Sequence, residues 1–371
     1  MKKILHYIGI DVDDQSFHIS AISSETRESQ QFKTKATTAS LIKVLRKYVP
    51  DLNKSALVAY EAGHLGYSLM RALDKKGITC KVIAPTSIPK SANERVKNDR
   101  LDSEKIAIAM RNNAVSYVNP PSEEQEADRQ LVRTRGDLVS QASDIKRNIL
   151  SMCRTLGLDY TKETNKKSNW TPHHFQYLKK KVPLLQRSAA IALEAKLKVL
   201  EFMRCSIADV EYEIEKLAHS VPYKKTVAAL RCFKGIQTTV AMLLATELYS
   251  IKRFAHPRQL TAYVGLDIRE YSSGGKQSQM GISKMGNKHV RRALVEACQF
   301  AFTAKAPLKR LKQAHKKTEK RIIDIADKCR NRLSKKGIRM LLSGKPRNKA
   351  KVACAREMLG FIWETLCITT A

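Results

Sequence analysis

Apolar residues fall into three textures along the chain. Residues 4–10, ILHYIGI, form an apolar run ending on Asp11-Val12-Asp13. Residues 16–22, SFHISAI, alternate, and 30–35, QQFKTK, are short and strand-like, so a three-strand meander is predicted. TTASLIKVLRKYV reads as a helix with Thr38 or Ser40 near its cap. Residues 55–62, SALVAYEA, are continuously apolar, the mark of a strand covered on both faces. GYSLMRALDKKG is an amphipathic helix stopped by Gly77, ITCKVIAP at 78–85 another strand, and NDRLDSEKIAIAMRNN a helix from about 99. The order βββ-α-β-α-β-α gives a mixed sheet with helices packed on it.

The texture changes near 120. After Pro120-Pro121, SEEQEADRQLVRTRGDLVSQASDIKRNILSMCRTLGL is long, charged and helical. A Lys-rich stretch at 160–182 is broken by Asn165, Ser168 and Pro172, and SAAIALEAKLKVLEFMRCSIADVEYEIEKLAHSV is a second long helix. Two such helices around a hinge suit a helical hairpin or coiled-coil arm, with an ordinary bundle as the alternative. From 226 the pattern is that of a compact helical domain with a Gly/Ser-rich loop around 265–286. The fold class is therefore α/β plus α, divided as 1–118, 119–222 and 223–371.

Composition adds one strong fact. The chain of 371 residues carries 68 Lys and Arg against 35 Asp and Glu, a net charge of +33. Such an excess points to nucleic-acid phosphates; the rivals are charge-based solubility or an acidic membrane surface. No run approaches the roughly 18 apolar residues of a membrane span. MKKILHYIGIDV reads as a strand rather than a signal peptide, since Asp11 cuts the apolar run short and no cleavage site follows. Eight cysteines are scattered singly, which argues against a zinc site or disulfide framework and for reduced cytoplasmic thiols.

Four acids stand at element ends: Asp11 after the first strand, Glu61 after the fourth, and Asp99 and Asp102 three apart on one face of a helix start. If the first and fourth strands are neighbours and the helix crosses their ends, the acids converge. Clustered carboxylates suit a hard divalent ion that can hold a scissile phosphate. Asp99 and Asp102 alone also fit as ordinary helix-start charges. Residues 263–292, YVGLDIREYSSGGKQSQMGISKMGNKHVRR, interleave glycines with Arg269, Lys276, Lys284, Lys288, Arg291 and Arg292, a phosphate-facing set. Ser272 and Ser273 precede Gly274, and either can attack phosphorus or simply belong to a surface turn. Upstream, the Lys234-Gly235 turn in LRCFKGIQTTVAMLLATEL has a helix-hairpin-helix shape that can offer amides to a phosphate or serve as a structural turn. His64, His256 and His289 read as structural or surface residues, and Phe361 and Trp363 as anchors of the last helix.

GIDV at 9–12, YEA at 60–62, KNDRLDSEKIA at 97–107, AYVGLDIREYSSGGKQSQMGISKMGNKHVRRAL and KVACAREMLGFIW together resemble insertion-sequence transposases. These have an Asp-Glu-Asp-Asp catalytic domain and a C-terminal serine domain, the family of Piv/MooV-type invertases and bridge-RNA-guided recombinases. Asn98, Ser103 and Asp267-Ile268 depart from its usual pattern without touching these acids or the serine. The resemblance implies an RNase-H-like (RuvC-like) fold in which Asp11, Glu61, Asp99 and Asp102 bind Mg²⁺ or Mn²⁺. It implies Ser273 as a nucleophile forming a covalent phosphoserine link to DNA, and a mainly helical C-terminal domain. Target and donor DNA, a structured non-coding guide RNA, and dimers pairing into tetramers are the implied partners, in a prokaryotic cytoplasm near the nucleoid and with no membrane. The alternatives are a RuvC-like Holliday-junction nuclease, a Piv-type invertase without RNA, and an accessory nucleic-acid-binding protein with an inactive fold.

Overall fold

Three strands at the start of the chain are joined by links too short for a crossover, and they pair antiparallel. They are β1 (His6–Val12), β2 (Ser16–Ser23) and β3 (Ser29–Lys35). Helix α1 (Thr38–Tyr48) and the short α2 (Leu52–Ser55) then carry the chain to β4 (Ala56–Glu61), which lies parallel to β1. Helix α3 (Ser68–Asp74) leads to β5 (Cys80–Ile83), parallel to β4, and the sheet order is β3-β2-β1-β4-β5. The computed structural model describes residues 4–26, 29–49, 51–88, 99–273, 276–302, 309–316 and 318–370. Side chains at 86, 99, 271–273, 276–279 and 309 are outside the description.

The central strands are covered on both faces, as their unbroken apolar sequence requires. Ile8, Ile10, Val58 and Tyr60 share one layer with Leu41 and Leu45 of α1 and Leu69 and Leu73 of α3. On the other face Leu57, Ala59 and Ile83 pack on Ile106 and Met110 of α4 (Asp99–Arg111). This mixed α/β layer, with first and fourth strands adjacent, agrees with the expected order and is consistent with an RNase-H-like domain.

Helix α4 touches the sheet backbone at Gly9. A Cβ there would lie 2.2 Å from the Ser103 carbonyl oxygen and 2.6 Å from the Ala107 nitrogen. The buried hydroxyls of Ser20, opposite Gly9 on β2, and Ser103 meet at 3.0 Å. At the far end of the helix, Arg111 donates to the Thr26 carbonyl at 3.3 Å, beyond the end of β2 that pairs with the start of β1. Helix α4 therefore runs antiparallel to β1, and its N-terminus points to the sheet's carboxyl edge.

The chain divides into two units, Met1–Pro121 and Ser122–Ala371. In the second, α5 (Glu123–Thr155) opens with a capping box: the Ser122 hydroxyl accepts from the Gln125 amide, and the Gln125 side chain accepts from the Ser122 amide, both at 3.1 Å. The late half of α5 packs on the early half of α8 (Arg187–Ala218) through Ala142, Ile149, Leu193 and Leu200. That makes an antiparallel pair. The broken stretch between them holds two short helices, α6 (Tyr160–Thr164) and α7 (Pro172–Lys181).

Helices α9 (Val221–Leu230), α10 (Thr238–Leu248) and α11 (Pro257–Val264) follow. The glycine-rich segment expected as a loop is instead a hairpin, β6 (Ile268–Ser273) with β7 (Lys276–Ile282). Only two residues separate the paired Ser273 and Lys276, and Gly-Gly is a composition that a two-residue hairpin link accepts. Then come α12 (Lys288–Ala297), α13 (Lys309–His315), α14 (Lys320–Leu342) and α15 (Arg347–Thr369). Helix α15 buries Cys354, Met358, Leu359, Ile362 and Leu366 in the main core, and Trp363 donates to the Phe254 carbonyl at 2.9 Å. Phe361 and Trp363 thus anchor the last helix, as expected.

The contact at Gly9 leads to a stability prediction. Gly9→Ala forces α4 off the sheet, and urea unfolding should register a loss of about 1–3 kcal/mol, typical of overpacking. An unchanged midpoint would show that α4 is not held by that contact.

Candidate functional site

Parallel pairing of β1 and β4 sets Ile10 beside Tyr60, so the next positions, Asp11 and Glu61, stand side by side at the carboxyl edge. Side chains alternate along a strand. Asp11 therefore shares the face of Gly9, and Glu61 that of Leu57 and Ala59, which is the face α4 covers. Asp11 is half-buried and Glu61 exposed. Asp99 opens α4, and its side chain lies outside the described residues. Asp102, half-buried, accepts from Lys105 at 2.8 Å.

Helix α4 is tied to β3 through Glu104, which accepts from Ser29 at 2.6 Å and from Gln31 at 3.1 Å; Arg100 also bonds Gln31. On the same edge His64 meets Asp14 at 3.1 Å, linking the β1–β2 turn to the loop after β4. An all-carboxylate set matches what hard divalent ions prefer. Among the described residues, no three His, Cys, Asp or Glu side chains gather closely enough to hold a metal. The structure thus brings positions 11 and 61 together and aims the start of α4 at them.

The basic set of the second unit is less uniform than its sequence. Arg269, Lys284 and Lys288 are exposed. Arg291 donates to the Val264 carbonyl at 2.8 Å, closing the end of α11, and Arg292 pairs with Glu296 at 2.8 Å. Gly235 has φ +92°, and a Cβ on it would sit 2.4 Å from the Ala297 carbonyl oxygen, so this turn is pressed onto the end of α12. Burial, with Arg330 nearby, lowers the Lys234 ammonium pKa. Ser272 and Ser273 lie in β6, with Ser273 paired to Lys276; the side chains of all three, like Gly274 and Gly275, lie outside the described residues.

Sequence reading missed the polar node beneath this hairpin. Glu247 of α10 is 1% exposed and takes two bonds from Arg133 of α5, at 2.6 and 2.9 Å. It also accepts from Asn287 at 2.7 Å, and Asn287 caps α12 by accepting from the amides of His289 and Val290. One carboxylate therefore joins three helices and fixes the residue where β7 leads into α12. Burial alone would raise the Glu247 pKa, but Arg133 and Asn287 hold it below the usual carboxylate range. The available signal was an acid inside the apolar run TTVAMLLATEL.

Residues 8–156, which contain the carboxylate edge, match the DEDD transposase domain of IS110 type, described as "Transposase". Residues 227–313, which contain the hairpin, match the "Transposase IS116/IS110/IS902 family". Fold, acids and matches together define a DNA transposase, an enzyme that cleaves and rejoins DNA. The candidate transposase y4qE of Sinorhizobium fredii is 28% identical over 96% of this chain and 87% of its own length. The transposase for insertion sequence element IS1533 of Leptospira borgpetersenii is 28% identical over 78% of this chain and 84% of its own. That for IS1111A of Coxiella burnetii is 24% identical over 98% and 90%. The two models together span more than half of the sequence, and the chain belongs to the IS110 family of transposases.

Glu247 supplies a pH test. Its folded pKa is depressed, so its stabilisation is complete above the unfolded value of about 4.3 and is lost as pH falls through the folded one. Glu247→Gln should cost about 3–5 kcal/mol at pH 7 in urea unfolding. The difference from wild type should be smaller at pH 3 than at pH 7, because it narrows as pH falls from the unfolded toward the folded pKa. An equal gap at both pH values would mean the carboxylate charge is not what holds the helices.

Proposed function

We propose that this transposase cuts and rejoins DNA by transesterification, with Ser273 as nucleophile and Asp11, Glu61, Asp99 and Asp102 holding Mg²⁺ or Mn²⁺. The observation that carries the reading is the parallel register of β1 and β4, which sets positions 11 and 61 side by side on the face where α4 begins. A divalent ion held there would polarise the phosphate and lower the pKa of the attacking hydroxyl. In the step itself the Ser273 hydroxyl oxygen bonds phosphorus, the bond from phosphorus to a deoxyribose oxygen breaks, and that oxygen takes the proton. The phosphoserine ester conserves the bond, so rejoining needs no external energy source.

Sequence choice is assigned to a structured non-coding RNA that pairs with target and donor DNA. The excess of cations over acids supports a polyanionic partner of this kind. The arm at 119–222 joins subunits into dimers and tetramers, so that the carboxylates of one subunit meet the serine of another. Residues 1–118 and 223–371 are the two catalytic parts, working in the cytoplasm on nucleoid DNA. Arg269, Lys276, Lys284 and Lys288 around the hairpin meet phosphates, with Lys234, Gly235, Arg291 and Arg292 completing that surface. Among the described residues no helix is long and apolar enough to cross a membrane.

Trapping tests the chemistry. Denatured protein from a reaction with labelled DNA and element RNA should carry a DNA strand. Ser273→Ala should abolish that adduct and slow strand exchange roughly a thousandfold or more, and Asp11→Ala should do the same. Cleavage lost in Asp11→Ala but intact in Ser273→Ala would favour a junction nuclease that never rejoins. Recombination from protein and DNA alone would favour an RNA-free invertase.

A further inference from the structure

Helix α14 presents two unlike faces. Ile322, Ile325, Ala326, Cys329 and Leu333 are buried, while Lys328, Arg332, Lys335 and Arg339 are exposed on the other side. With Asn331 and Lys336 they line a groove of about 680 Å³ whose remaining lining residue is Glu357 of α15. Positions 328, 332, 335 and 339 recur about once per turn, over a length of about 16 Å.

Glu357 fixes the cations rather than cancelling them. It accepts from Lys336 at 2.7 Å and pairs with Arg332, and its side chain is only 16% exposed. Five cations therefore face one carboxylate. Some exposed lysines on other helices have their own acid one turn away, as in Lys162–Asp159, Lys198–Glu194 and Lys216–Glu213. Burial lowers the Lys336 pKa; the Cys354 thiol opposes this, and the guanidiniums of Arg332, Arg356 and Arg339 add to it. Such massed charge is relieved by a polyanion, and it is an arrangement that a purely solubilising surface does not need. Among the described residues no aromatic ring lines the groove, which leaves no platform there for stacking unpaired bases.

We propose that the α14–α15 groove seats the phosphate backbone of duplex DNA lying outside the scissile position. This rests on the chain being a DNA transposase, which must hold duplex beyond the cut, and not on the assignment of the nucleophile. Helix α14 runs along one strand, with successive cations facing successive phosphates.

The test uses the full chain carrying Ser273→Ala, so that binding is read without cleavage. Affinity for a fluorescent DNA duplex of arbitrary sequence is followed by anisotropy as salt is raised. Lys328→Ser, Lys335→Ser and Arg339→Ser together should weaken binding at least tenfold and flatten the slope of log affinity against log salt by about 2–3. The charge-matched Lys162→Ser, Lys198→Ser and Lys216→Ser chain should keep the parental slope, and both should melt with the parent. Equal losses in the two triples, an unchanged slope in the first, or weakened binding of an RNA duplex with DNA unaffected would each overturn the proposal. A wild-type chain that yields no covalent adduct in the trapping experiment, alongside an intact groove effect, would remove the serine mechanism and leave this surface standing.

Discussion

The first unit of the chain depends on how closely one helix can approach one strand. Packed side chains usually hold a helix away from a sheet, but at Gly9 the backbones of β1 and α4 come into direct contact. That proximity lets the buried hydroxyls of Ser20 and Ser103 reach each other and lets Glu104 reach β3. It also fixes the height of the first turn of α4 over the strand ends. Asp11 and Glu61 are set side by side by the pairing of β1 with β4, and apolar packing of Ile106 and Met110 holds α4 on the same face of the sheet.

The second unit solves a related problem with charge instead of contact. A hairpin gains little stability by itself, so its placement depends on what holds its base. Glu247 does this from within the core, where desolvation would be prohibitive without Arg133 and Asn287. The serine hairpin thus stands on a buried polar node that also spans α5, α10 and α12.

The charge of +33 has a spatial logic at the level of each unit. Asp11 and Glu61 stand side by side at the carboxyl edge of the first sheet. Elsewhere cations dominate, but not all alike. Arg291 also closes a helix end and Arg292 also pairs with Glu296, whereas α14 keeps a row of cations in one groove. Counting basic residues finds the partner class, and only their pairing tells which surface meets it.

Local pattern determined a good deal of this protein. Period-two and continuous apolar runs gave the strand sequence, and the unbroken apolar character of 55–62 implied a strand covered on both faces. The motifs around Asp11, Glu61, Asp99, Asp102 and the serine pointed to the transposase family for the same reason: reactive groups sit in short segments whose spacing is set locally. Tertiary structure alone decided the direction of α4, the burial of Glu247 and the groove on α14. Each of these depends on contacts between residues tens to more than a hundred positions apart, and no local period records which distant backbone or charge a residue will meet.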